Sequence, residues 1–422
     1  MLQVKEVFLL TLLNKAKEFN QEHLFAFYDE LSEGQKKNLL ADIENIDFSL
    51  MKDLYDNVAC ARDKKGTESI SPISCTDASA MAEDEKKRLY NKGLESLKKG
   101  KMMALTMAGG QGTRLGHTGP KGTYDIGLPS HKSLFEIQCC GLKKVSEEAG
   151  CKVLWYIMTS HINHAETVAF FKEHNYFDYG KENIVFFPQA MIPAMDKDGR
   201  ILLESKYSVN KSPNGNGGLF SSLKQIGGFD ELRKKGITRI FICGIDNCLV
   251  KMADPLFLGY FEEAGYKVAA KSFIKRTADE KAGVFCKKDG KPAVIEYTEI
   301  PPELAALQDE NGVWVYGDTN VLNYIFDIDT AEFLATAGMP YHTAVKKLNH
   351  IDIATGEESV IPDAYKFELF LFDAFTSIED LGVFRIKRTE EFAPVKNATG
   401  VDSAESAREM YMEIHKEEKE NE

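Results

Sequence analysis

Apolar residues recur at three- and four-residue spacing over Leu2–Asn20 and Leu31–Ile46, which predicts amphipathic helices separated by polar breaks such as Ser32-Glu33-Gly34. The Ser-, Thr- and Gly-containing stretch from Asp63 to Ala80 reads as a surface loop, and Met81–Leu97 resumes a charged helix stopping at Lys98-Lys99-Gly100. After Gly100 the pattern changes. Short β-branched or apolar runs at Met102–Met107, Val153–Met158, Ile184–Phe187, Arg239–Cys243 and Lys267–Phe273 read as strands. Helical patterns such as Ser133–Glu148 and Ile162–His174 fall between them. That alternation predicts an α/β fold whose mostly parallel sheet is covered by helices on both faces. Val284-Phe285-Cys286, a turn at Lys288-Asp289-Gly290 and Ala293–Tyr297 predict a hairpin. Asp402–Glu422, with eight acids and three bases, predicts a solvated, fraying helix in which Met410, Tyr411 and Ile414 offer a docking face. The expected segments are a helical region over 1–98, a core over 99–394 and a short C-terminal piece over 395–422.

Composition narrows the class. With 422 residues, 43% of them apolar, the chain can bury a large core without disulfides or metals. A net charge of -13 argues against a nucleic-acid coat or a membrane-surface protein, both of which need a basic footprint. A polyanionic small substrate stays open, because a few cations converging in a cleft are invisible in a chain total. The eight cysteines form no Cys-x-x-Cys pair and read as reduced thiols in a cytoplasmic protein. No apolar run approaches a membrane span, and the N-terminal segment lacks a signal-peptide pattern.

The candidate chemistry lies in Leu105-Thr106-Met107-Ala108-Gly109-Gly110-Gln111-Gly112-Thr113-Arg114-Leu115-Gly116 and the following Pro120-Lys121-Gly122. A strand runs into a loop with four glycines in eight residues, so the backbone can approach a ligand closely and its N–H groups can form an anion nest. Arg114 and Lys121 add full charges. The spacing fits neither the P-loop nor the dinucleotide fingerprint. Other positions are ambiguous as bare sequence. Gln189, after a strand, is a solvated loop residue or a donor–acceptor pair suited to the imide edge of uracil. Pro213-Asn214-Gly215-Asn216-Gly217-Gly218 is a turn opening a helix at Leu219–Ile226. Asp246 ends a strand, where α/β sheets bind ligands but where turn and cap residues also collect, and Asp254-Pro255 follows it. His161 and His164, three apart with no acid or cysteine beside them, read as cap or surface residues rather than metal ligands.

Gly-Gly-x-Gly-Thr-Arg-Leu-Gly followed by Pro-Lys-Gly resembles the signature of the eukaryotic-type UDP-N-acetylhexosamine pyrophosphorylases, as does Tyr124 through Gln138. Ordered blocks extend the resemblance from about Leu105 to Asn397: Glu296-Tyr297-Thr298-Glu299, Gly317-Asp318-Thr319-Asn320 and Pro394-Val395-Lys396-Asn397. It implies a Rossmann-like nucleotidyltransferase core of the nucleotide-diphospho-sugar transferase type. It also implies residue roles. Ala108, Gly109, Gly110, Gly112, Gln189 and Gly215 would bind the nucleotide; Asn216, Glu296 and Asn320 the sugar; Arg114, Lys121 and Lys396 would be catalytic; and Asp246 would hold Mg²⁺. Aromatics among Phe367, Phe370, Phe372 and Phe375 would line the sugar pocket, the rest being core.

The reaction so implied joins UTP to N-acetylglucosamine 1-phosphate, giving UDP-N-acetylglucosamine and pyrophosphate. Alternatives are another sugar 1-phosphate, such as N-acetylgalactosamine or glucose 1-phosphate, or a silent UDP-sugar binder. Arg114-Leu115 speaks against glucose, and the four charged residues together speak against a pure binder. Relatives carry a further β domain after the Pro-x-Lys-Asn block, whereas 25 residues follow Asn397 here. The expectation is a monomer with Lys396 supplied in cis.

Overall fold

Every residue of the strand Met102–Met107 is buried, and around it a mixed sheet is laid out. The computed structural model describes residues 2–60 and 69–415. The strand order is Thr76–Asp77, Gly382–Arg385, Val268–Ile274, Asp318–Asp327, Arg239–Gly244, Met102–Met107, Leu154–Thr159, Ile184–Pro188. All neighbours on this path are parallel except Asp318–Asp327, which runs antiparallel to both of its partners. The hairpin Val284–Lys288/Lys291–Ile295 pairs beside it. The mostly parallel α/β fold read from the sequence is present, with strand ends within about two residues of expectation.

Its crossover helices form for legible reasons. Leu134–Ala149 starts where Ser133 Oγ accepts the Glu136 N–H at 3.2 Å and ends at Gly150 with φ 62°. Its Phe135 meets Phe171 edge-on at 4.9 Å, and Trp155 meets Phe171 at 5.5 Å, closing the core on one face of the sheet.

The chain divides into two compact units. One, of residues 2–60, 190–218 and 339–370, holds the helices Leu2–Glu18, Glu33–Glu44 and Phe48–Cys60 and the long antiparallel hairpin Tyr341–Ile351/Glu358–Leu369. Its core gathers Leu24, Leu39, Ile43, Phe48, Ile351 and Phe367. The other, of residues 69–189, 219–338 and 371–415, holds the large sheet.

These lines differ from the segments 1–98, 99–394 and 395–422. The helix Glu83–Lys98 packs with the sheet unit, against Pro255–Ala264, because glycines face each other: a Cβ at Gly259 would stand 1.8 Å from the Leu89 carbonyl, and one at Gly93 1.9 Å from that of Pro255. The segment after 394 also belongs to the sheet unit, with Val395 and Tyr411 buried. The terminal helix, Ala404–Ile414, docks through Ala407 and Tyr411, whereas Ile414, expected to help, is exposed. Residues 61–68 of the expected surface loop and 416–422 of the acidic end lie outside the described residues.

Candidate functional site

The glycine loop leaves the sheet at Met107 and is held from below. The Ala108 N–H donates to the Met158 carbonyl at 2.7 Å, continuing the ladder by one residue. Asn163, with no exposed surface, then donates its side-chain amide to the carbonyls of Ala108 (2.9 Å) and Gly110 (3.3 Å), while its Oδ1 accepts the Ser160 N–H at 2.8 Å. Gly112 N–H to Gly119 O (3.0 Å) and Lys121 N–H to Gly110 O (3.1 Å) close the loop on itself. With those carbonyls engaged, the N–H groups of Gly109, Gly110 and Gln111 donate to no acceptor among the described residues. Free N–H groups in succession make an anion-binding concavity. Gln189 is nearly buried and packs on the loop so closely that a Cβ at Gly109 would stand 3.1 Å from its Nε2. Asn163 is a contributor that the sequence reading missed; a lone Asn between a strand and a helix reads as a cap.

Three cations and one acid converge beside this loop. Lys121 is half-buried and donates to the Val395 carbonyl at 3.2 Å. Burial lowers its pKa below the usual lysine value; nearby Asp246 pulls it upward, while Arg114 and Lys396 push it further down. Lys121, Arg114, Lys396 and Asp246 therefore share one electrostatic neighbourhood. Arg114 and Lys396 are exposed and Asp246 half-buried. Asp246 and Lys396 come from distant stretches that are zipped together: Val395 N–H donates to Asp246 O (2.8 Å), Cys248 N–H to Ala393 O (3.2 Å), and Asn247 Nδ2 to Glu391 O (2.7 Å). Asn247 thus ties the two strips.

Glu296 and Asn320 meet at Gly283. The Asn320 N–H donates to the Gly283 carbonyl at 2.9 Å, and a Cβ at Gly283 would lie 2.8 Å from Glu296 Oε1. Asn320 Oδ1 already accepts the Tyr324 hydroxyl at 2.6 Å, so its amide nitrogen is the group left to offer a ligand. Gly215 and Asn216 lie in the other unit, on a turn of their own. Gly215 has φ 84°, and a Cβ there would stand 2.3 Å from the Leu369 carbonyl, so only glycine fits. Among the four phenylalanines, Phe367 and Phe375 have no exposed surface and belong to the cores, and Phe372 is 9% exposed, so the expectation that this group lines a pocket does not extend to those. Phe370 is half-buried and packs against His342 at 4.6 Å. His164 Nδ1 pairs with Thr159 Oγ1 at 2.8 Å, in keeping with a structural role.

Among the described residues no three His, Cys, Asp or Glu side chains cluster as a ready metal cage. A single carboxylate at a strand end, next to a loop with free N–H groups, nevertheless fits Mg²⁺, which keeps waters and takes one or two carboxylates plus phosphate oxygens.

Residues 51–417 match the family described as UTP--glucose-1-phosphate uridylyltransferase. The chain is 36% identical to the UDP-N-acetylglucosamine pyrophosphorylase of Saccharomyces cerevisiae, covering 94% of this chain and 88% of that protein. It is 36% identical to UDP-N-acetylglucosamine diphosphorylase 2 of Arabidopsis thaliana, covering 96% and 83%. Among solved structures it is similar to the uridine diphosphate N-acetylglucosamine pyrophosphorylase of Trypanosoma brucei in complex with an inhibitor, with TM-score 0.83, 30% identity, and coverage of 96% of this chain and 84% of that one.

Proposed function

The chain belongs to the UTP--glucose-1-phosphate uridylyltransferase family, and on that premise we propose that it makes UDP-N-acetylglucosamine and pyrophosphate from UTP and N-acetylglucosamine 1-phosphate. The observation that carries the reading is the gathering of Lys121, Arg114, Lys396 and Asp246 around one loop with free N–H groups. The sugar phosphate oxygen attacks the α-phosphorus of UTP in line, with pyrophosphate leaving on the opposite side, so no covalent enzyme intermediate is needed. Catalysis is then positioning and charge stabilisation. The N–H groups of Gly109, Gly110 and Gln111 hold triphosphate oxygens, with Ala108 and Gly112 as the loop's anchors. Arg114 and Lys121 neutralise the departing pyrophosphate, and Lys396 holds the phosphates being joined.

Asp246 would hold Mg²⁺, which when bound supplies positive charge to the phosphate oxygens. Gln189 and Gly215 are assigned to uracil, and Asn216, Glu296 and Asn320 to the sugar. We further assign the enzyme to the cytoplasm, in keeping with its reduced thiols. The test is pyrophosphate release from UTP with N-acetylglucosamine, N-acetylgalactosamine and glucose 1-phosphates, repeated with ATP and CTP. The first sugar with UTP should lead; no release with any pair would overturn the reading. A chelator should abolish the activity and Mg²⁺ restore it, and Asp246→Asn should raise the Mg²⁺ requirement; full activity of that variant at low Mg²⁺ would move the metal role elsewhere.

A further inference from the structure

Lys271 stands in the middle of the strand Val268–Ile274 with no exposed surface. Its Nζ donates to Asp254 Oδ2 at 2.6 Å and to Glu391 Oε2 at 2.5 Å, and lies 5.3 Å from the centre of the Phe257 ring. Asp254 and Glu391 are themselves 5% and 7% exposed. Three charges are thus taken out of water in a core where apolar residues of the same size serve stability as well or better. Stability alone gives no reason for the cluster.

Its connections supply one. Asp254 Oδ1 accepts the Leu256 N–H at 3.0 Å and so caps the helix Pro255–Ala264. The other Glu391 oxygen pairs with Lys251 at 3.0 Å, and its backbone carbonyl accepts Asn247 Nδ2 at 2.7 Å. Asn247 Oδ1 in turn accepts the N–H groups of Ala393 (2.9 Å) and Leu249 (3.2 Å). The loop from Asp246 to Asp254 is therefore fastened to Glu391 near its start by Asn247, and near its end by Lys251 and by Lys271 through Asp254. From Glu391 the chain runs directly to Val395, whose N–H holds the Asp246 carbonyl and whose own carbonyl holds Lys121, and then to Lys396.

We propose that the buried Lys271–Asp254–Glu391 triad is a positioning device for the reacting phosphates, fixing Asp246, Lys396 and Lys121 relative to one another without touching substrate. The proposal rests on the phosphate roles given above for those three residues. Reacting groups held loosely lose rate steeply, whereas binding of the nucleotide elsewhere on the loop and base site is indifferent to this register.

The test is a charge-free triad of nearly the same shape, Asp254→Asn with Lys271→Met and Glu391→Gln, in the full chain. It should fold, since the helix cap survives, with a melting temperature somewhat below that of the parent, because the new amide N–H groups at positions 254 and 391 face position 271 without an acceptor. Its kcat should fall about 10-fold or more with KM for UTP changed less than about 3-fold, and the Mg²⁺ concentration for half-maximal rate should rise. A folded variant with kcat within about twofold of the parent overturns the proposal. So does a kcat loss in a folded variant that vanishes once the rate is expressed per folded molecule. If the triple variant does not fold, Glu391→Gln alone carries the test, because it keeps an acceptor for Lys271. A kcat reduced about threefold at unchanged melting temperature supports positioning, and parental kcat overturns it. Lys121→Ala is measured in parallel. Normal turnover there would refute the phosphate reading itself, while an impaired Lys121→Ala beside a fully active triad variant would refute the positioning alone.

Discussion

Lys121 carries a full charge into a half-buried position where its hydrogen-bond partner is a neutral carbonyl. A protein leaves a cation so placed when an anion arrives from outside. Lys121→Ala should therefore reduce kcat about 100-fold, roughly 3 kcal/mol of transition-state stabilisation, while thermal unfolding stays near that of the parent. The sign of its pKa shift gives a second expectation. Its value lies below that of an ordinary lysine, first because of burial. The free enzyme then loses this charge earlier as pH rises, and bound phosphate, by favouring the protonated amine, moves the loss back upward. The alkaline limb of kcat/KM for UTP should fall at lower pH than that of kcat, and superimposable limbs would detach Lys121 from nucleotide binding. Charged groups on a glycine-rich loop are visible in a sequence because few folds have another use for them. Asn163 and Asn247 were not visible, since their roles consist of bonds to backbone groups whose positions only tertiary structure sets.

At the scale of elements, the strands buried on both faces were the most legible, because a run such as Met102–Met107 has no polar face to confuse its reading. The hairpin Tyr341–Ile351/Glu358–Leu369 was not read at all. Its pairing slips between Lys346 and Leu348, so the alternation of inward and outward positions changes phase in mid-strand and no period of two persists. Asp318–Asp327 hides for a related reason: its pairing with Val268–Ile274 is irregular between Ala270 and Ser272, and Leu322 takes φ 53°. The helix pair Glu83–Lys98 and Pro255–Ala264 shows how a sequence can assign an element its type and miss its neighbour. Two glycines, 166 positions apart, decide that contact. Gly259→Ala should cost about 1–3 kcal/mol or more, because the new methyl meets backbone that cannot turn aside, and a chemical-denaturation midpoint equal to the parent's would show the helices free to separate.

For the whole molecule, Lys121, Asp246 and Lys396 come from one chain and one unit, so no second copy is required to complete that cluster. The protein should sediment as a monomer at micromolar concentration, and light scattering showing a stable dimer would assign assembly to another surface. The division into two units has a consequence for how the chain comes into being. Leu24, Leu39 and Phe48 near the start share a core with Ile351 and Phe367. On a ribosome the first helices would emerge long before those partners exist, and their apolar stripes would wait, exposed, through the synthesis of nearly the whole sheet. Closing contacts over such separations is entropically slow. Nascent chains arrested before residue 339 should therefore remain open to protease within the first 60 residues, and those arrested after residue 370 has cleared the exit tunnel should become resistant there. Early protection would mean that the N-terminal helices find a temporary partner of their own.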